Sequence, residues 1–67
     1  MLKQFIACKN QRERFRFFDA TKVSDWTEEE MDAVAEITGV SFEEGSDMAQ
    51  KYMKMCNMLR MKATQIA

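Results

Sequence analysis

Residues 13–20 read ERFRFFDA, and the choice of fold rests on this octet. Arg14, Phe15, Arg16 and Phe17 alternate strictly, which is the period of a strand with one face buried. On such a strand Phe15 and Phe17 share the inner face while Arg14 and Arg16 meet water. Upstream, KQFIAC (3–8) supplies a partner strand, and KNQR (9–12) holds the polar residues of a short connection. The expectation is an antiparallel β-hairpin over residues 3–8 and 13–19. The competing reading is one N-terminal helix through residue 18. On one continuous helix, however, Leu2, Phe5, Ile6, Phe15, Phe17 and Phe18 scatter around the axis and form no stripe.

The next segment, DWTEEEMDAVAEITG (25–39), is unambiguous. Thr27 with Glu30 three residues later makes a capping box, and Trp26 with Met31 flanks it as a hydrophobic staple. Glu28, Glu29 and Glu30 occupy the first turn, where the helix dipole favours negative charge. Met31, Val34, Ala35 and Thr38 recur at helical spacing, and Gly39 is a left-handed stop. A helix over 28–38 follows. A second helix is expected from about 47 to 64, capped either by Ser41 with Glu44 or by Ser46 after a break at Gly45. The predicted fold is therefore α+β: a β-hairpin followed by two antiparallel helices, as one domain over 1–67.

A chain of 67 residues has room for one small core, and such domains often gain stability by association. The apolar share of 46% against 31% charged suits a folded domain rather than a disordered tail. No run reaches the ~18 apolar residues of a membrane span. The apolar run Phe5 to Cys8 is too short for an export signal, so a cytoplasmic chain is expected, in the host cytoplasm if it is phage-encoded. In that compartment Cys8 and Cys56 are reduced thiols, although their count also allows one disulfide.

The net charge of −1 conceals a segregated pattern. Residues 1–22 carry Lys3, Lys9, Arg12, Arg14, Arg16 and Lys22 against Glu13 and Asp19. Residues 23–47 carry nine acids and no base, and residues 48–67 carry four bases and no acid. Either the acidic segment packs between two basic ones, or an acidic face including Glu28, Glu29, Asp32 and Glu36 steers a basic partner.

Catalysis finds little to use. The chain has no histidine, no glycine-rich phosphate loop, and two cysteines without metal-site spacing. No enzyme activity, cofactor or metal is expected. The stretch AEITGVSFEEGSDMAQKYM (35–53) resembles the helix-turn-helix signature. Ala35, Gly39, Val40 and Ser41 stand where that family places its packing alanine, turn glycine and following residues. The resemblance implies a DNA-reading second helix. Glu43, Glu44 and Asp47 then face the phosphates, and Gly45 replaces an apolar anchor. A second nucleic-acid candidate is the basic hairpin, with Lys9, Arg12, Arg14 and Arg16 beside Phe15, Phe17 and Phe18. The plainer reading makes those phenylalanines core.

Five methionines fall between Met48 and Met61. At about 100° per residue, Met48, Tyr52, Met55, Cys56, Leu59, Ala63 and Ile66 form one inward stripe. Met53, Met58 and Met61 fall outside it, beside Lys54 and other polar residues. Methionine repacks against differing surfaces, so these three mark a contact face. The functional expectation is a small non-enzymatic protein-binding module using this helix and the acidic first helix. It has the style of a phage inhibitor or regulator that binds a host protein, with a homodimer as a further option.

Overall fold

A computed structural model describes residues 1–65, and within them the chain is all-helical. Four α-helices follow in order: α1 (Leu2–Ile6), α2 (Gln11–Asp19), α3 (Glu28–Thr38) and α4 (Met48–Gln65), with a single 3-10 turn at Val23–Asp25 between α2 and α3. No strand occurs among the described residues, so the expected β-hairpin, and with it the α+β class, is wrong.

The reason lies in residues 7–10. The N-terminal region is neither a hairpin nor one continuous helix but two helices broken between Ala7 and Asn10. Asn10 caps α2: its side chain accepts the Glu13 N–H at 2.9 Å, while Glu13 Oε2 accepts the Lys9 N–H at 2.8 Å. Asparagine suits a helix N-cap as well as a turn, and KNQR is a helix start. Within α2, Phe15 and Phe18 lie three apart on the face that meets the core, with Phe18 fully buried and Phe15 packed against the cluster. The break also resolves the scatter of apolar residues, because Phe5 on α1 and Phe18 on α2 reach the same core from separate helices.

α3 forms as expected. Thr27 Oγ1 accepts the Glu30 N–H and Glu30 Oε1 accepts the Thr27 N–H, completing the capping box. Met31, Val34, Ala35 and Thr38 are buried. Gly39 ends the helix at φ 75°, in the left-handed region. The Val40 N–H then reaches Ala35 O, and the buried Val40 carries the chain back into the core. A turn follows with Gly45 at φ 85°, where Ser46 N–H bonds to Glu43 O. α4 is capped by neither Ser41 nor Ser46. Asp47 Oδ1 accepts the Gln50 N–H at 2.8 Å and Gln50 Oε1 accepts the Asp47 N–H at 2.9 Å.

α4 packs most extensively against α2, and the two run antiparallel: Phe18 of α2 meets Tyr52, while Arg12 and Phe15 lie near Ala63 and Thr64. Phe5, Phe18, Trp26, Met31, Met55 and Leu59 make the centre of the core. Phe5 meets both Phe18 and Trp26 edge-on, with ring centroids 6.3 Å apart in each case. Of the expected inner stripe on α4, Met55, Leu59 and Ala63 are buried. Met48, Tyr52 and Cys56 pack against the cluster, and Ile66 lies outside the described residues.

One polar hub ties three elements together. Thr21 Oγ1 donates to Phe18 O at 2.6 Å and accepts the Trp26 indole N–H at 2.8 Å. The Tyr52 hydroxyl sits 2.5 Å from Thr21 O, which has no other donor among the described bonds, and 2.9 Å from Phe18 O, which also takes the Thr21 N–H and hydroxyl. Its ring stacks on Phe18 at 4.7 Å.

Candidate functional site

The three methionines expected on one wet face do not share it. Met53 is 65% exposed and Met61 is 53% exposed, but Met58 is half-buried and packs against the core cluster. Eight residues separate Met53 from Met61, which places them about 80° apart around the axis and about 12 Å along it. Met61 lies on the flank of Lys54, and Met53 on that of Arg60. Lys54 is half-buried and its ammonium is tied to the Ser41 carbonyl, so it fixes the α3–α4 linker.

The acidic helix is partly answered from within. Lys51 Nζ lies 3.3 Å from Asp32 and 3.9 Å from Glu28, and it also sits 5.5 Å over the Phe42 ring. The N-terminal ammonium lies 3.9 Å from Glu30. Glu30 has its pKa lowered, chiefly by the Thr27 N–H that it accepts. Glu29 and Glu36 are exposed and make no ion pair among the described residues. The acidic face is therefore thinned at Glu28 and Asp32 but persists at Glu29 and Glu36.

The basic set Lys9, Arg12, Arg14 and Arg16 also divides. With no hairpin to carry it, the set runs from the residue before the α2 cap to the last turn of α2, with Arg14 on the inner side. Its guanidinium sits 5.9 Å from the Phe5 ring centroid, and its Nε is buried with no hydrogen-bond partner among the described residues. Lys9 precedes the helix and is exposed. Arg12 and Arg16, one turn apart and both exposed, project outward instead.

Across from them stands a residue the sequence pattern did not single out. Arg60 of α4, with Ala63 and Thr64, completes a groove whose other wall is Arg12, Phe15 and Arg16 of α2. The groove has a volume of about 310 Å³. Its lining is almost wholly apolar, contributed by Phe15, Ala63, Thr64 and the side chains of the three arginines. Arg60 donates to Asn57 Oδ1 at 3.2 Å. None of the three arginines forms an ion pair with a carboxylate among the described residues. Arg60 was not legible as a partner of Arg12 and Arg16 because it joins them only through the antiparallel α2–α4 packing, 44 positions from Arg16.

The remaining chemistry is sparse. Cys8 and Cys56 are free thiols, each with its pKa raised, first of all by burial, so neither is activated as a thiolate at neutral pH. No group of acids or cysteines among the described residues is arranged to hold a metal ion. The linker between α3 and α4 spans residues 39–47, longer than the about 3–4 residues of a helix-turn-helix turn. No described helix is long and apolar enough to cross a membrane. No family model matches the chain, and neither the curated proteins nor the solved structures contain a detectable relative.

Proposed function

We propose that the chain is a non-enzymatic protein-binding module whose contact element is the outward face of α4. One observation carries this reading: Met53, 65% exposed, heads a stripe on which Asn57, Arg60 and Thr64 follow at helical spacing and run into the α2–α4 groove. An apolar side chain held in water, on a helix face that leads within two turns to a concave surface lined by arginines, is the composition of a contact site. Methionine adapts its shape to a partner at little cost in packing. Glu29 and Glu36 on α3 add a field of opposite sign elsewhere on the molecule, which orients an approaching partner before contact. A binder of this size acts by covering a surface of its partner, as inhibitors and small regulators do.

The reading is tested with a photo-reactive amino acid placed at position 53, and at exposed Ser24 as the control, in cells that produce the chain. A discrete covalent adduct with one protein from position 53, absent from position 24 and competed by excess unmodified chain, is the expected result. Identical adduct patterns from both positions, or none from position 53, overturn it.

A further inference from the structure

We infer that the α2–α4 groove recognises an acidic segment of the partner protein, with one apolar side chain seated on Phe15 and Ala63 and flanking carboxylates held by Arg12, Arg16 and Arg60. This deepens the protein-binding reading and rests on it. Three features point to that occupant.

The first is charge. Three arginines line one opening, and none forms an ion pair with a described carboxylate. Guanidinium is the side chain best shaped to take carboxylate oxygens in pairs, and it remains charged throughout the physiological range. Arg12 and Arg16 stand on one wall and Arg60 on the other, so a bound segment meets positive charge from both sides.

The second is the floor. Phe15 is packed against the core and Ala63 is buried in α4, so the apolar surface is held in place before any ligand arrives. The alanine leaves room that a larger residue would fill. A groove of about 310 Å³ is at the small end of ligand sites, which suits one anchoring side chain rather than a whole folded surface. An apolar anchor between charged contacts is how short segments gain affinity on a small surface.

The third is what the rest of the molecule opposes. Nucleic-acid binding draws its strength from many phosphate contacts. Here Arg14 is withdrawn over Phe5, and residues 23–47 carry nine acids. A short carboxylate-bearing segment needs only the local field of the groove, whereas an extended polyanion also meets that acidic half.

The experiment is selection of random peptides of about twelve residues against the full chain, followed by affinity measurement with a synthetic winner. A single-stranded thymidine oligonucleotide of similar length and sedimentation of the chain alone run in parallel. The expected winners pair an aromatic or large aliphatic residue with two or more Asp or Glu, and their binding weakens with added salt. Arg16→Glu and Arg60→Glu weaken it about tenfold or more. Thr64→Trp, which fills the groove and changes no charge, does the same. All three positions are exposed, and circular dichroism checks that each variant keeps its helices. Ser24→Ala, exposed on the turn between α2 and α3 and outside the groove, leaves peptide affinity within about twofold. Winners without acidic bias overturn the assignment. So does an oligonucleotide that displaces them, which transfers the groove to nucleic acid. So too does self-association abolished by Arg16→Glu, which makes a second copy the occupant. Loss of groove binding with the position-53 adduct retained refutes the groove alone. Groove binding without that adduct refutes the wider α4 reading alone.

Discussion

Tyr52→Phe removes one oxygen and tests the hub that joins α2 to α4. The Tyr52 hydroxyl is 2.9 Å from Phe18 O and 2.5 Å from Thr21 O. Phe18 O keeps the Thr21 N–H at 3.0 Å and the Thr21 hydroxyl at 2.6 Å after the change. Thr21 O has no other donor among the described bonds, so it is the group left open. The lost bond contributes about 0.5–1.5 kcal/mol, and a half-buried open carbonyl adds part of the 1–3 kcal/mol that a fully buried one costs. The ring and its 4.7 Å stack on Phe18 are retained, so no cavity term enters. The expected loss is about 1–2 kcal/mol. For a domain of this length, total stability is about 3–10 kcal/mol. Each kcal/mol moves Tm by about 4–8 °C, giving a fall of about 5–15 °C.

Urea unfolding followed by circular dichroism measures the loss directly, with an unchanged m value showing that the native state keeps its compactness. Thr21→Val in the same background gives a cycle, and a coupling of about 0.5 kcal/mol or more is expected because the two hydroxyls share partners. Burial, its largest cause, raises the Tyr52 pKa above the ordinary value. Its stabilising contribution is complete below about pH 10 and is lost as pH rises through the folded value. The alkaline fall in stability is therefore shallower in Tyr52→Phe. A Tyr52→Phe variant within about 0.3 kcal/mol of the parent refutes the hub as a stabilising contact.

Three further outcomes follow from the same geometry. Asn10→Ala removes the α2 cap and lowers stability by about 1 kcal/mol in urea, whereas a residue in a hairpin connection has no cap to lose. Met58→Glu buries a carboxylate against the core and lowers Tm sharply, by 2 kcal/mol or more at about 4–8 °C each, whereas Met53→Glu leaves Tm nearly unchanged. Equal melting of the two variants refutes the division of these methionines. The lowered Glu30 pKa means its cap contribution is complete above the ordinary glutamate value and is lost as pH falls through the lower folded value, so Glu30→Gln flattens the acid limb of the stability profile.

α3 was legible because several local signals agree on it: the Thr27–Glu30 box, the Trp26–Met31 staple and the Gly39 stop are each decided by neighbours in sequence. The inward stripe of α4 was legible for the same reason. The N-terminal third was misread because four alternating residues cannot separate a period of two from a period of 3.6 when the helix is only one of two short ones. Asn10 and Glu13 carry the same three-residue spacing as Thr27 and Glu30, so the cap was present in the sequence. It was hidden because asparagine also begins turns. An isolated helix as short as α1 is marginal in water. It exists here because Phe5 is locked between Phe18 and Trp26, and no local rule announces that. The groove depends on the tertiary pairing of α2 with α4, and so it lay beyond any pattern confined to one element.

The bond from Tyr52 to Phe18 O spans 34 positions. A ribosome adding about 5–20 residues per second needs about 2–7 s to cover that interval. Throughout it, the inner face of α2 has emerged but α4 has not, so Phe15 and Phe18 are without their cover. The helix that closes the core is made after α1, α2 and α3, and the nascent chain passes through a sticky interval that the folded domain never revisits. Slower translation across residues 19–52 lengthens that interval and raises the yield of aggregated chains, while supplying the α4 segment in trans shortens it.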